Sequence, residues 1–319
     1  MMPNRRRRRA TRPSAILAWA ALAGAALLAA GCSSSLALGT ASQNGTIIAV
    51  GAESEYADVI AQVGGKYVQA SAIMSNPNTD PHTFEASAST GRLVNAARLV
   101  VQNGLGYDTF MDTIEKAVPD SGRRVIVVQK LLGLPDSTPN PHLWYDPATM
   151  PKVADAIAAN LAAIQPSHAA YFKANAKTFT NSLSAWIDAI GTFKQQYPGT
   201  PVATTEPVAD YLLQALGADN KTPWAFQADV MNGTDPSAQD VAIERSLFTE
   251  HKVKAFLYNQ QVTDSLTESF ISLARANHIP VVGVYETMPE PGYHYQSWML
   301  AEVRALHNAV ASHVSSEHL

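Results

Sequence analysis

From Thr46 onward, short apolar runs alternate with longer segments whose apolar positions recur at spacings of three and four. Residues 46–52, 68–74, 98–103 and 124–129 read as strands, and 55–63, 86–97, 107–117 and 150–164 as helices. The rhythm then restarts. Strands are expected at 202–205, 254–258 and 280–285, and helices at 208–216, 237–250, 264–277 and 295–313. Strands separated by helices imply right-handed crossovers and parallel sheets. Between the two sets, residues 168–197 contain no Pro and one Gly. Tyr171, Phe172, Phe179, Leu183, Trp186, Ile187, Ile190 and Phe193 there trace one side of a single long amphipathic helix, with Pro166 before it and Pro198-Gly199 after it. The expected fold is α/β: two lobes with parallel sheets, joined by one long linking helix. The cleft where the carboxyl ends of the strands meet is the expected ligand site.

The first 45 residues belong to neither lobe. Arg5 to Arg9 form a basic flank, residues 15–30 an apolar stretch too short to span a bilayer comfortably, and Leu28-Ala29-Ala30-Gly31-Cys32 resembles a bacterial lipobox. Cleavage before Cys32 and its lipidation would leave residues 33–44, a Ser-rich tract, as a tether. Consecutive arginines also permit twin-arginine export. The organisation expected is a signal peptide at 1–31, a lipidated tether at 32–45, a first lobe at 46–166, the linking helix at 167–198 and a second lobe at 199–319.

Composition narrows the function. Of 319 residues, 46% are hydrophobic and 16% charged, enough for a core and too apolar for a disordered chain. The first 31 residues carry six Arg and no acid; without them 17 cationic side chains face 27 acidic ones, and the formal net charge falls from −4 to −10. That balance argues against a nucleic-acid partner. Cys32 is the single cysteine, so a metal would have to be held by nitrogen and oxygen.

Two loops carry matching grammar. Asp80-Pro81-His82-Thr83-Phe84-Glu85 follows one expected strand, and Asn140-Pro141-His142-Leu143-Trp144-Tyr145-Asp146-Pro147 follows another. In each, a His after Pro stands between strand and helix, where it suits metal ligation; Asp80 or Thr83, and Asp146 with Pro147, also suit helix starts. In the second lobe Glu206 and Glu286 each end an apolar strand. Two imidazoles from one lobe and two carboxylates from the other make an N2O2 set that neutralises a divalent ion, and binding to it competes with protons. Tyr107, Trp144, Tyr145, Trp224, Tyr258, Tyr285, Tyr293 and Tyr295 could wall such a site, although core packing is the simpler account of each. No Gly-rich phosphate loop, Gly-x-Ser-x-Gly elbow or His-Glu-x-x-His pair is present.

The lipobox, the two Pro-His loops, Asn103-Gly104 after a strand, the long linking helix and the Ile279-Pro280-Val281 strand leading to Glu286 together resemble the zinc/manganese solute-binding lipoproteins of ABC importers. The resemblance covers the mature chain. It implies a chain that is not an enzyme, a monomer anchored outside the cytoplasm through lipidated Cys32. Its cargo would be Zn2+ or Mn2+, delivered to an ABC permease transmembrane subunit with its ATPase. The implied ligands are His82, His142, Glu206, which matches a position that is His in many zinc members and Glu in manganese members, and Glu286, where Asp is common. The chain departs from the family pattern in two places. Residues 133–140 lack the His-rich loop of many zinc members, and the 286–294 segment replaces the usual surroundings of the fourth ligand, leaving Glu290 and His294 as alternatives to Glu286. Glu206 and the missing loop lean toward manganese. Two other readings fit the same lobes: a metal-dependent hydrolase, and a surface adhesin serving cell adhesion with metal only stabilising its fold.

Overall fold

The computed structural model describes residues 45–76, 84–85, 87–289 and 292–319. Cys32, His82 and Glu290 therefore lie outside the described residues. The first half runs β1 (Ile47–Glu53), α1 (Ser54–Gly64), β2 (Val68–Met74), α2 (Ala88–Ala96), β3 (Leu99–Gln102), α3 (Thr109–Ala117), β4 (Arg124–Val127), α4 (Val128–Leu132) and α5 (Thr149–Ile164). After α6 (Ala169–Ser182) and α7 (Ser184–Gln196) come β5 (Pro201–Thr204), α8 (Asp210–Leu216), β6 (Asp219–Asn220), α9 (Trp224–Met231), α10 (Ala238–Thr249), β7 (Ala255–Asn259), α11 (Ser265–Ala276), β8 (Val281–Val284) and α12 (Tyr295–Ser312).

The strands form two four-stranded sheets, ordered β2-β1-β3-β4 and β6-β5-β7-β8, with every ladder parallel. In each sheet the chain moves outward from its first strand, then returns across it, so β1/β3 and β5/β7 are topological switch points. At such points the carboxyl ends of neighbouring strands diverge and leave a crevice.

The linking segment is helical as its pattern requires, but Leu183, with φ −75° and ψ −10°, separates α6 from α7. Leu183 is buried on the same apolar side as Phe179 and Trp186, so the hydrophobic spacing runs through the interruption unbroken. Two other expectations are corrected. The helix after the second Pro-His loop is capped at Ala148, not Asp146, whose Oδ1 instead accepts the Ala148 N–H at 2.9 Å. The helix expected from 107 starts at Thr109, because Asp108 is used elsewhere: its carboxylate accepts the Asn103 and Gly104 N–H groups at 2.6 and 2.9 Å. That bond pair closes the turn after β3, in which Gly104 takes φ +86° and a Cβ would stand 2.9 Å from the Gln129 side chain.

One apolar core runs through both sheets and the linking helices. At its seam Trp186 packs edge-on against Tyr295 at 5.8 Å, the Tyr295 hydroxyl donates to the Trp144 carbonyl at 2.6 Å, and the Tyr145 hydroxyl donates to the Tyr285 carbonyl at 2.7 Å. Residues flanking the site thus also stitch the two sheets together.

Candidate metal site

The loop carrying His142 is built by amides. The Tyr56 hydroxyl donates to Asn103 Oδ1 at 2.6 Å, and Asn103 Nδ2 donates to the Pro141 carbonyl at 2.8 Å. Asn140 Nδ2 reaches across to the Pro207 carbonyl at 2.8 Å, which fastens the loop to the residue after Glu206. Asn140 Oδ1 accepts the His142 backbone N–H at 3.0 Å; a backbone amide only donates, so this atom is the side-chain oxygen. His142 Nδ1 lies 2.7 Å from that same oxygen and so carries a ring proton, and in the neutral ring the lone pair is on Nε2.

That nitrogen is aimed at Glu286. His142 Nε2 stands 3.4 Å from Glu286 Oε2, both side chains are fully buried, and Nε2 makes no hydrogen bond among the described residues. Two lone-pair atoms facing each other out of water repel unless a positive charge lies between them. Tyr107 and Trp144 wall the ring, edge-on at 5.9 and 5.4 Å.

The carboxylates come from strand ends of the second sheet. Glu206 follows β5 and Glu286 follows β8, and the parallel register brings both beside Asn259 at the end of β7. Asn259 Nδ2 donates to Glu286 Oε1 at 2.5 Å and to Glu206 Oε1 at 3.2 Å. Gln261 Oε1 accepts the Glu286 and Thr287 N–H groups at 2.6 and 2.9 Å and so shapes the turn. From the first sheet's side the Tyr107 hydroxyl donates to Glu286 Oε2 at 2.8 Å. Burial, then the charge of Glu286, pushes this phenol well above its ordinary pKa, so it remains a donor.

Of the four residues expected from sequence, His142 faces Glu286, Glu206 is joined to Glu286 through Asn259, and His82 lies outside the described residues. No three His, Cys, Asp or Glu among the described residues stand close enough together to form a metal-ligand cluster on their own. His294 is not part of the group: it is 63% exposed and pairs with Asp58 at 2.8 Å. Sequence reasoning overlooked Asn259, Gln261 and Glu53. Glu53 is the last residue of β1, is wholly buried, and has no hydrogen-bond partner on either oxygen among the described residues. Burial, then Asp108 and Glu55, raises its pKa well above the carboxylate range, and burial raises Glu55 to about 8. The strand-end signal that found Glu206 could have found Glu53. A cavity of about 360 Å³ is lined by Tyr107, Pro141, Phe84, Phe110 and Met231 among others.

Known proteins agree with this architecture. The family described as zinc-uptake complex component A, periplasmic, matches residues 50–309. The manganese-binding lipoprotein MntA of Bacillus subtilis is 24% identical over 242 residues, 72% of this chain and 76% of that protein. The zinc-binding protein TroA of Treponema pallidum is 22% identical over 237 residues, 71% and 75% of the two chains. Among solved structures, periplasmic TroA superposes with a TM-score of 0.70 at 18% identity, covering 85% of this chain and all of that one. A cadmium-bound periplasmic metal-binding protein from candidatus Liberibacter asiaticus gives 0.69 at 17% identity, covering 83% and 100%. With a match spanning most of its length and the same two-sheet fold, this chain belongs to the zinc-uptake complex component A family of periplasmic proteins.

Proposed function

We propose that the protein captures a divalent transition metal outside the cytoplasm and hands it to an ABC permease with its ATPase, the chain being held to the membrane through lipidated Cys32. His142, Glu206 and Glu286 bind the ion, joined by His82. The observation that carries this reading is the facing pair of His142 Nε2 and Glu286 Oε2, 3.4 Å apart and out of water, with the ring proton committed to Asn140. A cation between them converts a repulsive contact into two ligand bonds. The donor chemistry fits: neutral imidazole and carboxylate suit zinc and manganese, and the Irving-Williams order favours zinc at most such sites. Family membership favours capture over hydrolysis or adhesion, since the relatives are named as metal-binding proteins.

Release follows from the seam. Because Trp186, Tyr295 and Trp144 lock the two halves through one core, a wide hinge would break buried packing and the Tyr295 hydrogen bond. Local movement of the His142 loop or the 286–288 turn, induced by the permease, frees the ion at lower cost. The test is titration of the full chain, stripped of metal, with Zn2+ and Mn2+. The expected result is one equivalent bound; no stoichiometric binding of either ion would overturn the reading.

A further inference from the structure

Helix α1 grips the second half of the chain along one face. Ser54, Asp58 and Gln62, spaced by four, share that face, and each is bonded to the segment that runs from Glu286 into α12. Ser54 Oγ accepts the Met288 N–H at 3.0 Å. Asp58 Oδ2 accepts the Tyr295 N–H at 2.9 Å, and its Oδ1 lies 2.8 Å from His294 Nδ1. Gln62 and Gln296 exchange two amide hydrogen bonds, each at 3.0 Å. The Asp58 contact is a helix cap supplied by another element: the Tyr295 N–H opens α12 and has no acceptor within it.

The Ser54 contact differs, because the turn it holds carries a proposed ligand. Three successive backbone N–H groups, of Glu286, Thr287 and Met288, are held by side-chain oxygens. Gln261 Oε1, from the same half of the chain, accepts the first two, and Ser54 Oγ, from the other half, accepts the third. The Ser54 hydroxyl hydrogen is directed at Glu55 Oε2, 3.3 Å away, so its oxygen meets Met288 as an acceptor. The turn of Glu286 is thereby strung between the end of β7 and the start of α1. We infer that Ser54 is a positioning residue for metal release: holding the Met288 N–H from the opposite half keeps the Glu286 turn seated, and the ion leaves when this bond opens. This rests on the capture function proposed above and names the contact that opens in the local movement described there.

The experiment uses the full chain, as wild type, Ser54→Ala, Ser54→Thr and Asp58→Ala, loaded with Zn2+ and mixed with excess chelator to follow zinc dissociation. Ser54→Ala is expected to release zinc about fivefold faster, the scale of one neutral hydrogen bond. Ser54→Thr keeps the hydroxyl and should release at the wild-type rate. Asp58→Ala loosens the same segment at its other end and should lower the Tm while leaving the release rate unchanged. Wild-type release from Ser54→Ala would overturn the inference, as would Ser54→Thr releasing as fast as Ser54→Ala with a native circular dichroism spectrum. Equal acceleration in Asp58→Ala would also overturn it, by tracing the effect to general loosening. Hydrogen exchange in the zinc-loaded wild type decides even if a variant fails to fold: the Met288 amide should be protected, and exchange at the rate of an unbonded amide would contradict the inference. All these failures leave capture standing, whereas a wild type that binds no zinc would overturn the capture function and this inference together.

Discussion

The two sheets share one topology and treat the carboxyl ends of their strands differently. In the second sheet β5, β7 and β8 deliver Glu206, Asn259 and Glu286 directly, and these side chains hold one another. In the first sheet the strand ends are not where the proposed ligand sits: His142 stands on a loop after α4, and β1 ends on Glu53, whose buried carboxyl oxygens have no hydrogen bond among the described residues. The contrast separates two ways to build a site. Strand ends fix position through backbone register, while a loop must be tied down by side chains, here Asn103 and Asn140. The loop half should therefore be the more sensitive to losing a single supporting residue.

The largest effect expected is from His142→Ala, which removes a ligand. Zinc affinity measured by competition with a chelator should fall about a thousandfold, the equivalent of about 4 kcal/mol. Next, Asn140→Ala keeps the imidazole but frees its tautomer and orientation, and affinity should fall about 10–100-fold in the same assay. Tyr107→Phe removes one hydrogen bond to Glu286 while leaving Asn259 in place, and should cost about tenfold. If the first-sheet supports proved as dispensable as surface residues, the contrast between loop and strand end would dissolve.

A further prediction, read in stability and not in metal affinity, concerns Glu302, a buried carboxyl that serves structure. It accepts from Trp298 Nε1 at 3.0 Å and lies 3.2 Å from the Tyr145 hydroxyl, and burial raises its pKa to about 8. A carboxyl raised from about 4.5 to about 8 stabilises the fold fully below pH 4.5, and that contribution drains away as pH rises toward 8, because the unfolded chain ionises first. Glu302→Gln, which cannot ionise, should match the wild type in urea denaturation at pH 4 and exceed it at pH 7.5. Equal stability at both values would show that Glu302 does not hold its proton. Glu244, also raised to about 8 by burial, would remain in both proteins and cancel from the difference.

Much of this organisation is legible in sequence because alternation and punctuation carry it. Seven strands and their helices stand within a few residues of where periodicity puts them, and His142, Glu206 and Glu286 were marked by a Pro-His loop and by apolar runs ending in acid. What escaped did so for physical reasons. β6 is two residues long, below any period, and α9, from Trp224 to Met231, is too short and too uniformly apolar to show a face. Leu183 interrupts the linking helix without Gly or Pro to announce it. Asn259 carries no charge, and its role exists only once β5, β7 and β8 lie side by side. Glu53, followed directly by Ser54-Glu55, reads as the start of a helix, and only its burial distinguishes it from an ordinary helix-start acid.

The most direct test of the central claim is anomalous diffraction at the zinc edge from crystals of the zinc-loaded chain. A single strong peak at about 2.0–2.1 Å from His142 Nε2, bonded also to Glu206 and Glu286, is the predicted result. A peak elsewhere, or bonded to the other ring nitrogen of His142, would contradict it.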